Sequence, residues 1–211
     1  MQDFDMDTGG GSEGPWIRWA AKGTSDGLID ARQFYLQDSN GKTLFHGFAT
    51  GVVMDITNMK TGWQHGEGIA GKAPDWSWND TVAKFKAQPT PEHKKGLSIR
   101  CAIGGGKTAT WEQAAVGVWN AFTALVPALK AGPGDGSLPL VRMIGHKTEK
   151  FARGSTFTPI LEVMKWVARP DCLKEGFVAD TADDPAPAAQ TYASPTPSAA
   201  AKAAIPDAAE F

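Results

Sequence analysis

From Leu97 to Ile103 the side chains alternate without a break. Leu97, Ile99, Cys101 and Ile103 are apolar, and Ser98, Arg100 and Ala102 stand between them. A period of two is the pattern of a β-strand whose alternate side chains point to opposite sides. Such a strand needs partners on its edges and a core layer on one side only. The chain is therefore restricted to sheet folds with one buried face, and Arg100 belongs to the other face.

Further runs read as strands. Trp16-Ile17-Arg18-Trp19 opens one, with Trp16 and Arg18 on the face opposite Ile17 and Trp19. Gln33 to Gln37 alternates and meets a turn at Asp38-Ser39-Asn40-Gly41. Phe48 to Asp55, Leu138 to Ile144 and Pro159 to Val167 complete the set. One segment reads as helix. Thr110 and Gln113 have capping-box spacing, and Trp111, Val118, Phe122 and Leu125 recur at helical intervals until Gly132-Pro133-Gly134. Trp111 and Trp119 are expected in the core. The order predicts a mainly β (α+β) fold: an OB-like barrel of five or six strands, with one long helix between late strands. A β-sandwich is the alternative.

Three regions follow from composition. Residues 1–14 are acidic and glycine-rich and read as a disordered arm; they lack the basic start and apolar core of a signal peptide. Residues 15–178 form the globular domain. Residues 179–211 are rich in Pro, Ala and Ser and read as linker and tail. No stretch approaches the roughly 20 apolar residues of a membrane helix, so a soluble, cytoplasmic protein with no membrane partner is expected. Cys101 and Cys172 belong to no CxxC pair and read as buried thiols. The four histidines stand far apart in sequence, so no metal or other cofactor is expected.

The net charge of −2 conceals a division. Residues 14–178 keep 20 of the 21 Lys and Arg but 14 of the 23 Asp and Glu, a net +6. A basic body between acidic ends suits a polyanion. The long insert Met59–Lys95 holds Trp63, Trp76 and Trp78 among Lys60, Lys72, Lys84 and Lys86, out of eight tryptophans in the chain. If the chain is extended there, Trp76 and Trp78 share a side. Rings beside cations are what single-stranded nucleic acid needs, because every base has a π face and every phosphate a charge. The expected DNA contacts are Trp16, Arg18, Lys60, Trp63, Lys72, Trp76, Trp78, Arg100 and Lys107.

Gly104-Gly105-Gly106-Lys107-Thr108 is not a phosphate loop, since Cys101 stands where that motif requires its first glycine. A glycine hinge is expected, although amides between a strand and a helix suit a phosphate. No GxSxG, HExxH or Cys/His signature is present, and Asp26, Asp30, Asp55 and Asp75 are scattered, so no enzyme is expected. A metal-dependent nuclease on single-stranded DNA and a carbohydrate-binding module are the competing functions.

The last residues, Ala204-Ile205-Pro206-Asp207-Ala208-Ala209-Glu210-Phe211, join acids, an Ile-Pro pair and a terminal aromatic. With the basic, Trp-rich domain, this arrangement resembles single-stranded DNA-binding proteins. Bacterial members end in an acidic run and Ile-Pro-Phe; phage members of the T7 type end in an acidic tail with a terminal Phe. Phe211 corresponds to that aromatic, and Ile205-Pro206 echoes the Ile-Pro pair further in. The resemblance implies an OB fold and sequence-independent protection of single-stranded DNA in phage replication, recombination or repair. It implies that the tail competes with DNA for the basic groove. Once freed, Asp207, Glu210 and Phe211 would engage replication or recombination proteins. Homo-oligomerisation is compatible with the sequence.

Overall fold

The computed structural model describes residues 15–66, 74–82, 84–151 and 154–174. Contacts divide the chain into units Met1–Phe177 and Val178–Phe211, and all described residues lie in the first. The elements in order are β1 (Trp16–Ala20), β2 (Gln33–Asp38), β3 (Gly41–Leu44), α1 (Gly47–Thr50), β4 (Val52–Met54), β5 (Lys60–His65), β6 (Asp75–Trp78), β7 (Lys94–Gly104), β8 (Lys107–Gln113), α2 (Val116–Lys130), β9 (Leu138–Phe151) and β10 (Gly154–Val167). A short 3-10 turn, Asp171–Leu173, follows.

The alternating strand becomes the hub. Residues Leu97, Ile99 and Cys101 of β7 are fully buried and Arg100 is exposed. Along the sheet the strands run β10-β9-β4-β7-β8-β1-β2-β3. Among the described residues only β1 and β8 pair in parallel; the other pairs are antiparallel. One edge of β7 is shared: β5 takes the half from Lys94 to Ser98, and β4 takes Cys101 and Ala102. β6 lies outside β5. Ile17, Trp19, Phe34 and Trp111 join the β7 residues in a core closed by Val118, Phe122 and Leu125 of α2. Phe48 of α1 packs between Phe34 and Trp111, its ring centroid 4.3 and 5.6 Å from theirs.

The fold is thus mainly β with one long helix between late strands, and its sheet is large, open and mixed. That differs from a five- or six-stranded barrel. Among the described residues the sheet has ten strands, partly because the insert supplies β5, β6 and the first residues of β7. The path ends at β10 and β3, which are not paired with each other. The sheet still curls, since the Trp19 indole on β1 donates to the Phe157 carbonyl on β10 at 2.9 Å.

Three local readings change. The Thr110–Gln113 segment is strand β8, not a helix start; α2 begins at Val116 with no side-chain cap on Ala115. The reason is non-local. Trp111 pairs with Ile17 on one side and Ile99 on the other and is wholly buried, which outweighs a capping box. Phe48 lies in a helical turn, and only Val52–Met54 of the expected strand is extended. Gly104-Gly105-Gly106 makes the β7–β8 hairpin turn with φ of 94, 59 and 70°, values that favour glycine. It precedes a strand, so no helix N-terminus faces it. Among the described residues no helix is long and apolar enough to cross a membrane.

Candidate nucleic-acid interface

Residues paired across strands share a face of the sheet. Ile17 pairs with Leu36 and Trp111, and Trp111 with Ile99; that is the core face. One residue along, Trp16 pairs with Gln37 and Thr110, Arg18 with Tyr35, and Arg100 with Thr110. The row continues where Ser98 pairs with Lys60, Gly96 with Gly62, and Gly62 with Trp78; Gln64 pairs with Trp76. Register alone therefore brings Trp16, Arg18, Tyr35, Arg100, Lys60, Trp76 and Trp78 from five strands onto the outer face. Arg100 and Lys60 are exposed there, and the four aromatic rings and Arg18 are half-buried.

Trp76 and Trp78 are two apart on β6, and their rings stack with centroids 4.1 Å apart and planes 7° from parallel. The sheet beneath has no side chains in the way. A Cβ on Gly96 would stand 2.6 Å from the Trp76 ring and 2.7 Å from the Ala114 Cβ. One on Gly62 would stand 2.6 Å from the Ser77 carbonyl oxygen and 3.0 Å from Trp78. Two glycines paired with each other thus form the floor under the stacked rings. The Trp76 Nε1–H donates to Glu112 Oε1 at 3.0 Å. Arg18 donates from Nη1 to the Glu112 backbone carbonyl. Glu112 holds an indole and a guanidinium to the same strand. Loss of water around the guanidinium lowers the Arg18 pKa from its ordinary value, opposed by Glu112 and Tyr35.

Trp63 was expected beside these rings and is not. It points to the opposite face, pairing with Lys95 and Ser77, and is 8% exposed. Its Nε1–H donates to the Lys86 carbonyl at 2.9 Å, its ring meets Phe85 edge-on at 5.6 Å, and the Lys95 ammonium lies over it at 5.6 Å. β5 alternates through the insert, so neighbours on the loop in sequence part to opposite sides. Lys107 stands exposed at the hairpin turn opposite Gly104, beyond the last regular outer pair, Thr108 with Ala102. Lys72, Asp207, Glu210 and Phe211 lie outside the described residues.

Tyr35, Glu112, Gly62 and Gly96 belong to this face and were not singled out from the sequence. Tyr35 was visible in the alternation of Gln33–Gln37; the others depend on register. His65 and His93, distant in sequence, stack with centroids 5.1 Å apart. Among the described residues no three His, Cys, Asp or Glu side chains gather as a metal site. Asp55 is held by two hydrogen bonds from Arg169, at 2.6 and 3.0 Å, and Asp26 by one from Lys42 at 2.5 Å. The outer face offers flat rings and cations, arranged across strands rather than enclosed in a deep cavity. Comparison with protein-family models, with curated proteins and with solved structures gives no match.

Proposed function

We propose that this protein binds single-stranded DNA without sequence preference on the outer face of its sheet. It acts as a non-enzymatic protector of the strand in replication, recombination or repair, in a phage setting and the host cytoplasm. The observation that carries this is the division of the sheet. One face carries the main core; the other, beyond the patch where Ala102 is covered by Leu138, Cys172 and Leu173, bears Trp16, Tyr35, Trp76 and Trp78 among Arg18, Arg100 and Lys60. Rings accept bases of any identity by stacking, and cations accept phosphates. The curl that brings Trp19 to Phe157 supports reading the sheet as an elaborated OB-like fold. Asp207, Glu210 and Phe211 are the part proposed to recruit replication or recombination proteins.

The test is a tryptophan-fluorescence titration with oligo-dT at two salt concentrations, on the wild type and on a W76A/W78A variant. Binding that weakens steeply with salt is expected, with about 1–3 kcal/mol lost per stacked base in the variant. No binding at low salt, or equal binding by both proteins, refutes the reading. Magnesium-dependent cleavage of the oligonucleotide in the same samples would identify a nuclease instead. Salt-insensitive binding of an oligosaccharide would identify a carbohydrate module.

A further inference from the structure

The edge of the sheet is not flat beside the stacked tryptophans. Along β5, Gln64 lies opposite Trp76, Gly62 opposite Trp78, and Lys60 one pleat further on. There, on the side of Trp78 away from Trp76, a cleft of about 290 Å³ opens. Trp78 and Met59 line it, with Lys60, Asp80, Thr81 and Val82 around them. The volume is close to the roughly 300 Å³ at which small-molecule sites begin.

The cleft is built before any ligand arrives. The Asn79 backbone N–H donates to the Thr61 carbonyl at 2.9 Å, and its Nδ2 donates to Thr61 Oγ1 at 2.9 Å. Thr61 Oγ1 donates in turn to the Val82 carbonyl at 3.2 Å. The Asn79 Oδ1 accepts from the Lys86 N–H at 3.0 Å, and Thr81 bridges to Lys84. The turn that forms the far wall is therefore pinned to buried Thr61 of β5. A wall that does not have to be ordered on binding favours affinity. On the Trp76 side the comparable cleft is about 120 Å³, and it carries Glu92 beside Lys94.

We propose that the cleft beside Trp78 is a nucleobase site. One base of the strand enters it against Trp78, beside the little-exposed Met59, and the adjoining phosphate meets the exposed Lys60 ammonium. An aromatic wall suits a flat ring, and a cation at the rim suits the charge attached to it. Because Trp76 covers Trp78 from the other side, this cleft is the place where the pair offers a base a bounded pocket. The site rests on the single-stranded DNA reading above, and it locates one base within it.

The cleft can be closed chemically in the full-length protein. Both native thiols are buried, so a cysteine introduced at the exposed Thr81 is the thiol a maleimide reaches. T81C is titrated with oligo-dT before and after alkylation with N-ethylmaleimide, and the wild type receives the same treatment. Alkylated T81C should bind about 5- to 150-fold more weakly than the same protein before alkylation, the value of one lost base stack. The treated wild type should not change. Equal binding before and after alkylation of T81C overturns the cleft and leaves the parent reading standing. A wild type that does not bind oligo-dT at low salt overturns both. Should alkylation lower the melting temperature, T81L, which only occupies the cleft, carries the same two outcomes.

Discussion

Gly96→Ala perturbs the stacked pair from below. An added Cβ would stand 2.6 Å from Trp76 Cη2, 2.7 Å from the Ala114 Cβ and 2.9 Å from the Ala114 Cα. The Ala114 atoms cannot retreat, because Ala114 is itself buried where β8 gives way to α2. The ring must therefore lift or β7 must part from β8. Lifting the ring stretches the 3.0 Å bond from Trp76 Nε1 to Glu112 and tilts an indole that is 7° from parallel with Trp78. Overpacking of this kind costs about 1–3 kcal/mol. For a domain of this size that lowers Tm by roughly 2–12 °C. The assay is a pair of measurements: thermal unfolding, and far-UV circular dichroism, in which closely stacked indoles give an exciton couplet. The variant should melt lower and lose the couplet while keeping the rest of its β spectrum. Oligo-dT affinity, read at a temperature where the variant is folded, should fall with the couplet. An unchanged Tm with an intact couplet would refute the claim that the glycine floor sets the ring geometry.

Two more predictions follow from groups outside the stack. Burial pushes the Asp55 pKa up, but hydrogen bonds from Arg169, Asn58 and Thr57 outweigh it and hold the carboxyl below its ordinary 3.8. The unfolded chain then binds a proton more readily than the folded one, so this stability is present above pH 3.8 and is lost as pH falls through the lower folded value. D55N should lose about 1.5–3 kcal/mol near neutral pH and show a flatter acid limb in urea midpoints measured against pH, whereas an unchanged limb would remove Asp55 from the acid transition. Trp63→Ala should cost about 3–5 kcal/mol of stability yet leave oligo-dT affinity per folded molecule unchanged; a specific loss of affinity would return Trp63 to the interface.

How much of the candidate interface is legible in the sequence depends on distance along the chain. Trp16 and Arg18 share a face because they are two apart on one strand, and Trp76 and Trp78 for the same reason. Arg100 is outward because Leu97, Ile99 and Cys101 are inward. Trp63 defeated the reading because a loop has no faces, whereas a strand does: once Lys60–His65 is β5, Trp63 and Gly62 must point to opposite sides. Thr110 to Gln113 defeated it because a capping box is local evidence, and the pairing of Trp111 with Ile17 and Ile99 spans many residues.

The sequence by itself determined that there is a sheet with a buried and a basic, aromatic side, since alternation is a property of the chain and needs no partner to be read. It also determined the long helix between late strands, though not its first residue. Only the tertiary structure decided which strands lie side by side. That choice set Gly62 against Gly96 under the tryptophans, Glu112 beside both Trp76 and Arg18, and the cleft next to Trp78. Register between distant strands is fixed by how their inward residues pack together, and no single strand carries that information.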